Sequence, residues 1–482
     1  MAKADHIHAY SVAAEDGGPG LIVDPDEVTA AILEAPVDPN DEMAIEDTKA
    51  VAAKTLGPPD DVCPNALGEA RWGVIWPPEP LTAEEKVHRD AVMRLFDRRR
   101  NEMGGQPPHE FYYHSGWSKW DFLWADGREV RGGEMRPEIV PYYLCIVASP
   151  ERVPWEFQQQ LDGEYAVGRI WFDDPDDCGS YVDQLLDYEA EGAVPANARE
   201  VLFVGTQHEG DGATNASATI LVKPLHDWFA GKPEGRFAAS LLLGSSHGEG
   251  AYKNNLLKRL KGFGLDDRPR PSPAILFTAG HGLEYKNGVL NQRAGQGALI
   301  FQEWPGPLQT PGADTYLTGG ELDAHLRVAG MTAFCFACFS AGTPREADWV
   351  KPGFFRLVPR LAERPFVAHL PQKFLARGML AFIGHVSKAW DLSFLQPGST
   401  ESQVVTFRTA LNLLSRGARV GHATNTLNTR WVHLTDQFET ARKEKRLDRR
   451  ELLDLWLARN DCRGYVVLGD PAVRLRVELL RR

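Results

Sequence analysis

The sequence PAILFTAGHG, residues 273–282, combines an uninterrupted apolar run with an abrupt change to small residues and a histidine. A second stretch of the same kind, TAFCFACFSAG, occupies residues 332–342. Short apolar runs without alternation are typical of strands that are buried on both faces of a parallel sheet. We therefore predict two buried strands whose carboxyl ends carry His281 and Cys338.

Similar runs occur on both sides of this pair. PYYLCIVAS at 141–149, REVLFVG at 199–205 and GYVVLGD at 464–470 all read as buried strands. Between them lie segments with helical spacing, such as SYVDQLLDYEAEG at 180–192. Strands that are separated by helices indicate βαβ units, so the predicted fold class is α/β with a mostly parallel central sheet.

The N-terminal region differs from the rest in composition. Residues 1–60 are strongly acidic, poor in aromatic residues and interrupted by Pro and Gly, which predicts a partly ordered N-terminal extension. Its acidity is more typical of a solvated segment than of a binding site. The tryptophan-rich stretch ARWGVIWPPEPL at 70–81 reads as the start of the folded body.

Composition excludes several classes of function. The formal net charge of -13 in 482 residues argues against a broad nucleic-acid surface, which needs clustered Lys and Arg. No segment approaches the roughly 18 apolar residues that cross a bilayer, and the N-terminus shows no signal-peptide pattern. The six cysteines are irregularly spaced. The expectation is a cytoplasmic protein with reduced thiols and no membrane or nucleic-acid partner.

The two predicted strand ends carry residues that suit covalent catalysis. A thiol attacks as its thiolate, so it needs a base nearby, and His281 is placed to serve Cys338. The backbone amides of Gly282 and Cys338 can both point at a developing oxyanion. The plain alternatives are a core cysteine at a strand end and a turn histidine before glycine.

Two other chemistries stay open at this point. Cys335 and Cys338 form a C-x-x-C, but strand alternation puts the two side chains on opposite faces and no second cysteine pair completes a zinc site. The motif GSSHG at 244–248 fits a nucleophile elbow with Ser246 attacking, for which Asp391 and His433 are available later in the chain. A flexible Gly/Ser loop is the simpler interpretation of that motif.

An ordered series of short motifs resembles the gingipain-type branch of the caspase-like cysteine peptidases over roughly residues 138–478. The motifs are DGEY at 162–165, TAGHG at 278–282, FAC at 336–338, LAFIGHVSKAW at 380–390 and GDP at 469–471. The resemblance implies an α/β/α sandwich built from two α/β subdomains in tandem. We place the N-terminal subdomain at 61–195 and the caspase-like catalytic subdomain at 196–482.

The resemblance also implies an activity and further site residues. It implies a cysteine endopeptidase that cleaves peptide bonds through a Cys338–His281 dyad and a thioester acyl-enzyme, with Trp390 lining the substrate pocket. Gingipains are exported, whereas the N-terminus here shows no signal-peptide pattern, so we expect an intracellular enzyme. The loop 205–212 and its continuation supply further candidates: Glu209, Asp211 and Asn215 for the pocket, and His208 or Glu209 as the residue that orients His281.

No cofactor or metal is required by this chemistry. The expected partner is a protein or peptide substrate, and an activating or inhibitory protein partner is compatible with it. The alternatives that the sequence leaves open are a serine hydrolase that uses Ser246 and a catalytically silent module that binds peptides or partners.

Overall fold

The structure is a computed structural model that describes residues 7–20, 28–29, 32–33, 57–131, 133–232, 237–245, 249–323, 326, 328–348, 358–397, 402–444 and 447–481. In chain order the strands are β1 (Ser11–Ala13), β2 (Trp72–Trp76), β3 (His109–Tyr112), β4 (Tyr143–Ile146), β5 (Ala166–Arg169), β6 (Ala198–Gly205), β7 (Ala238–Leu243), β8 (Pro273–Ala279), β9 (Gly282–Glu284), β10 (Leu299–Ile300), β11 (Tyr316–Leu317), β12 (Thr332–Phe336), β13 (Gly342–Thr343), β14 (Phe366–Val367), β15 (Ala381–His385) and β16 (Tyr465–Gly469).

The α-helices are α1 (Leu67–Ala70), α2 (Ala83–Glu102), α3 (Lys119–Trp124), α4 (Trp155–Asp162), α5 (Pro175–Glu189), α6 (Gly212–Ala216), α7 (Lys223–Ala230), α8 (Lys253–Leu260), α9 (Gln292–Gly295), α10 (His369–Ala376), α11 (Val405–Ser415), α12 (Val420–Glu444) and α13 (Arg449–Arg463). A π-helical turn at Ser217–Val222 joins α6 to α7. Within the described residues no helix is long and apolar enough to cross a membrane.

Ten strands form one continuous sheet in the order β3-β2-β4-β5-β16-β15-β12-β8-β6-β7. Strands β3, β2, β4, β5 and β16 run parallel to one another, and so do β15, β12, β8, β6 and β7. The two sets meet at the pair β15–β16, which is antiparallel. The sheet is therefore mostly parallel, and the predicted fold class is confirmed.

Burial explains why these segments are strands. Every residue of β4, β5, β8, β12, β15 and β16 is buried. Because successive side chains of a strand point to opposite faces, both faces of the sheet must be covered, which is what helices on a parallel sheet achieve. The apolar runs that the sequence predicted as strands all form strands of this sheet.

The C-terminal strand crosses the predicted boundary between the subdomains. Strand β16 pairs in parallel with β5 of the first half and antiparallel with β15 of the second. A buried ion cluster lies at the same junction. Arg99 of α2 is fully buried and pairs with Glu102 at 2.7 Å, with Glu189 at 2.8 Å and with Asp470, just after β16, at 2.7 Å. The division at residue 195 stays a prediction.

A second, smaller sheet has the order β1-β9-β10-β11, and its strand β9 begins three residues after the end of β8. Its first strand, Ser11–Ala13, pairs in parallel with Gly282–Glu284, which directly follows His281. Val12 is buried in a small apolar cluster with Leu283 and Trp304. Residues 7–20 therefore belong to the folded body, although they lie in the segment that composition assigns to an extension.

Candidate active site

Strands β8 and β12 are parallel neighbours, and their last residues, Ala279 and Phe336, are paired. The chain continues two residues beyond each of them, to His281 and to Cys338. The loops touch closely, since a Cβ placed on Gly282 would lie 2.0 Å from the Cys338 carbonyl oxygen. Only glycine fits this approach. The sheet therefore holds the two loops against each other.

Two backbone amides of these loops converge on one oxygen atom. The amide of Gly282 donates to the carbonyl oxygen of Tyr10 at 2.9 Å, and the amide of Cys338 donates to the same oxygen at 3.2 Å. Paired amides beside a nucleophile are the arrangement that stabilises an oxyanion during acyl transfer. These are the two amides that the sequence nominated for that role.

His281 is held by a carboxylate. Its Nε2 lies 2.7 Å from Asp211 Oδ2, and the imidazole is 5% exposed. Asp211 is itself fixed, because its oxygens accept from the Ala213 amide at 3.1 Å and from the Thr214 hydroxyl at 2.8 Å. Burial alone would raise the pKa of Asp211, but the hydrogen bond and charge of His281 hold it well below its usual value. The carboxylate stays ionised and fixes the ring.

The other ring nitrogen of His281 is available for proton transfer. Among the described residues Nδ1 is buried without a hydrogen-bond partner. A buried polar atom of this kind is costly unless it serves a function or meets a ligand. A cavity of about 210 Å³ lies over the imidazole and is bordered by Ser11, Trp304 and Trp390.

The thiol of Cys338 is fully buried in this structure. Its Sγ accepts from the Ala389 amide at 3.2 Å and donates to the Ala389 carbonyl at 3.5 Å, and no described hydrogen bond joins it to His281. Burial raises the pKa of Cys338 to about 12, although Lys388 nearby favours the thiolate. The next residue, Phe339, has a left-handed φ of 57°, a strained backbone of the kind found at functional sites.

A strand of the chain itself lies along the groove beside the thiol. Tyr10 N donates to Ala389 O at 2.9 Å, and Asp391 N donates to His8 O at 3.1 Å. Ala9 and Trp390 form an antiparallel bridge between these two bonds. Trp390, predicted to line a substrate pocket, therefore lies against an extended peptide.

The side chain of Tyr10 fills a closed pocket. Its ring lies edge-on to Phe336, with centroids 4.5 Å apart, and packs at 6.2 Å from Phe394. The hydroxyl donates to the carbonyl of Ala213 at 2.5 Å. Burial, with the charge of Asp391 behind it, raises the pKa of Tyr10 well above its usual value, so the hydroxyl remains a donor.

The structure distributes the predicted loop residues differently from the sequence interpretation. Asp211, nominated for the pocket, contacts His281 because it caps α6 and turns its carboxylate toward the imidazole. Glu209 is exposed. Asn215 accepts a hydrogen bond from the Gln207 side-chain amide and donates one to the His208 carbonyl. His208 is buried against Trp304, and no described hydrogen bond joins it to His281.

The residues of the competing hydrolase do not assemble a described site. Ser246 lies outside the described residues. Asp391 is buried beneath the groove that holds His8, and His433 is exposed on α12. The described residues also contain no group of three or more His, Cys, Asp or Glu that could hold a metal ion.

Sequence reasoning did not single out Tyr10. The signal that could have revealed it is HIHAYSVAA at 6–14, a stretch without Asp, Glu, Lys or Arg that contains β-formers and lies inside an acidic, turn-rich segment. The stretch itself does not show where it binds, because its partners, Gly282–Glu284 and Ala389, lie more than 250 residues away in the sequence.

Comparison with known proteins gives structural neighbours only. No protein-family model and no curated protein matches the chain. It is similar to the complex of the pro- and mature domains of gingipain RgpB from Porphyromonas gingivalis, at 12% identity over 84% of this chain and 80% of that one, with a TM-score of 0.45.

Two further solved structures are similar. The crystal structure of the Arg-specific cysteine proteinase gingipain R gives 13% identity over 87% and 80% of the two chains, with a TM-score of 0.44. The separase–securin complex of Saccharomyces cerevisiae gives 11% identity over 69% and 16%, with a TM-score of 0.32. The neighbours include the proteins that the sequence motifs resemble. At these scores no residue role or activity is transferred from them.

Proposed function

We propose that this protein is a cysteine peptidase with Cys338 as nucleophile and His281 as general acid and base. One observation carries the proposal: a peptide carbonyl oxygen, that of Tyr10, accepts hydrogen bonds from the amides of both Gly282 and Cys338. A thiol on the same residue as one of these donors can attack a carbonyl carbon held in this way. The hydrogen-bonded strand beside it supplies a binding mode for extended peptides.

Each group has a defined task in this mechanism. His281 takes the thiol proton, Sγ adds to the carbonyl carbon, and the two amides stabilise the negative oxygen. The imidazolium then protonates the leaving amine, and water hydrolyses the thioester. Asp211 is a positioning residue, since it fixes the ring through Nε2 without touching the substrate.

The alternative is a catalytically silent module that binds peptides in the same groove. It would keep the strand pairing at Ala389 and Asp391 but would not need the carboxylate on His281 or the strained residue after Cys338. A cytoplasmic location and an endopeptidase action stay predictions from the sequence.

Cleavage of a reduced, unfolded protein tests the proposal. The wild-type chain is incubated with this substrate beside Cys338→Ala and beside Cys63→Ala, which removes the exposed free cysteine. We expect products with the wild type and with Cys63→Ala, and a loss of at least 10³-fold with Cys338→Ala. Equal cleavage by wild type and Cys338→Ala, or none by any form, would refute the assignment.

A further inference from the structure

Residues 8–13 occupy the proposed active site in the manner of a substrate. Before the reacting carbonyl, the segment pairs antiparallel with residues 389–391. After it, Ser11–Ala13 pairs in parallel with Gly282–Glu284. The chain therefore passes directly through the groove, and the peptide bond between Tyr10 and Ser11 lies at the two amides of the oxyanion site.

We propose that this segment is the enzyme's own first substrate, cut between Tyr10 and Ser11, and that the site prefers tyrosine before the cut. The inference rests on the proposed function, because it uses the same thiol and imidazole. It adds the bond that is cleaved, the side chain that is recognised and the reason why the uncut chain is latent.

The pocket around Tyr10 has the chemistry of a tyrosine site. Its walls are the aromatic rings of Phe336 and Phe394, packed edge-on against the tyrosine ring as aromatic pairs prefer. Its end is a neutral acceptor, the Ala213 carbonyl, at 2.5 Å from the hydroxyl. The Tyr10 side chain is 0% exposed, so the pocket is filled by a ring of this length.

The cleavage step balances within the groups present. Sγ of Cys338 adds to the Tyr10 carbonyl carbon while the thiol proton passes to His281, and the negative oxygen rests on the amides of Gly282 and Cys338. The bond between the Tyr10 carbon and the Ser11 nitrogen then breaks, and the nitrogen keeps the electron pair and takes the proton from His281. Water hydrolyses the thioester, which leaves a carboxylate on Tyr10 and restores the thiol.

The uncut segment also explains the buried thiol. Cys338 is fully buried, whereas a nucleophile that meets external substrates must be reachable. Cleavage would detach residues 1–10 from the rest of the chain, so that residues 8–10 could leave the part of the groove that they occupy. Ser11–Ala13 would remain in the small sheet, because Val12 is buried with Leu283 and Trp304.

The test follows the mass and the N-terminal sequence of the full chain over time. Wild type and Cys338→Ala are purified from the same host and incubated under reducing conditions. We expect the wild type to lose residues 1–10 and to begin at Ser11, and Cys338→Ala to keep its full length. Tyr10→Phe should be cut within about tenfold of the wild-type rate, because the ring still fills the pocket. Tyr10→Asp should be cut at least 10²-fold more slowly.

Specificity is read with two peptides, one containing His-Ala-Tyr-Ser and one with arginine in place of the tyrosine, both offered to the processed enzyme. Faster cleavage after tyrosine supports the proposal, and faster cleavage after arginine overturns it. Cleavage of an unfolded protein by a chain that keeps residues 1–10 indefinitely would overturn the self-cleavage and leave the proposed function standing. Failure to cut any substrate would overturn both.

Accessibility of the thiol gives an independent readout. In the uncut chain, iodoacetamide should label the exposed Cys63 quickly and Cys338 slowly. After loss of residues 1–10, labelling of Cys338 should rise at least tenfold. The same labelling rate at Cys338 before and after the cut would contradict the proposal that residues 8–10 keep the uncut chain latent.

Discussion

At the scale of single residues, the site depends on a few contacts that no other residue type can make. Gly282 presses its backbone against that of Cys338, and this approach aligns the two amides on one oxygen. Asp211 fixes His281 through Nε2, on the side of the ring opposite to Nδ1, the nitrogen that we propose moves the proton.

Gly282→Ala should disable the proposed oxyanion site. The new Cβ would lie 2.0 Å from the Cys338 carbonyl oxygen, so the two loops must separate and the amides lose their common target. Loss of one oxyanion donor costs about 10²–10³-fold in kcat, and we expect a loss of that size on an unfolded protein substrate. Gly320→Ala, at an exposed position with room for a methyl group, is the control. Activity within threefold of wild type for Gly282→Ala would contradict this geometry, provided that circular dichroism shows both variants folded.

Asp211→Asn should lower kcat and leave KM nearly unchanged. A neutral amide is a weaker hydrogen-bond partner than a carboxylate and holds the orientation of the ring less firmly. General acid–base catalysis by a positioned side chain is worth about 10²–10⁴-fold, so part of that factor should be lost from kcat. Glu209→Gln removes an exposed carboxylate from the same loop and should change neither constant. A purely structural role for Asp211 would instead lower the melting temperature while kcat of the folded fraction stays the same.

At the scale of elements, the apolar runs predicted the strands well. A strand that is buried on both faces needs apolar residues at successive positions, and such a run is visible in the local sequence. The runs at 273–279 and 332–336 are β8 and β12, paired as adjacent parallel strands. The pairing of Ser11–Ala13 with Gly282–Glu284 could not be predicted from the sequence, because a three-residue strand is too short to show which strand it will pair with. Likewise, the contact of Asp211 with His281 depends on how one turn of helix begins, which spacing alone does not reveal.

The buried carboxylate of Asp391, which follows β15 along the chain, should make the stability of the protein depend on pH. Asp391 is 3% exposed, and burial, aided by the charges of Asp461 and Asp454, raises its pKa to about 7. The folded state therefore binds a proton more tightly than the unfolded state between about pH 4 and pH 7. Stability from this group is present below that window and is lost as the pH rises through it.

Asp391→Asn should remove this loss of stability at higher pH, because the asparagine side chain stays neutral. The free energy of unfolding of the variant minus that of the wild type should increase by on the order of 2–4 kcal/mol between pH 5 and pH 8. Urea unfolding at the two pH values measures it, with the exposed Asp61→Asn as control for the loss of one charge. An equal difference between variant and wild type at both pH values would show that burial of Asp391 does not penalise its charged form.

At the scale of the whole molecule, two parallel half-sheets are joined antiparallel at β15 and β16. The family resemblance implied two α/β subdomains in tandem. Local sequence patterns do not reveal that the C-terminal strand β16 pairs with β5 of the first half, because that pairing joins distant parts of the chain. The buried Arg99 belongs to this junction, because it links α2 to Glu189 of α5 and to Asp470 after β16.

Arg99→Met should destabilise the whole chain. Removal of the guanidinium leaves Glu189 and Asp470 without their buried partner, and breaking a buried ion pair in this way costs about 3–5 kcal/mol. Arg100→Met, on the exposed side of the same helix, should change the free energy of unfolding by less than about 0.5 kcal/mol. Urea denaturation of the pair measures the difference, and a cost below about 1 kcal/mol for Arg99→Met would show that the junction does not depend on this cluster.

Covalent trapping tests most directly whether Cys338 attacks a carbonyl that is held by the two amides. The processed chain is treated with a His-Ala-Tyr peptide that carries an acyloxymethyl ketone at its C-terminus, and the adduct is mapped by mass spectrometry. We expect one adduct per chain, on Cys338, formed at least 10²-fold faster than on any other cysteine and slowed in Gly282→Ala. Labelling spread over several cysteines, or labelling of Cys338 no faster than that of the exposed Cys63, would contradict a peptidase site at this edge of the sheet.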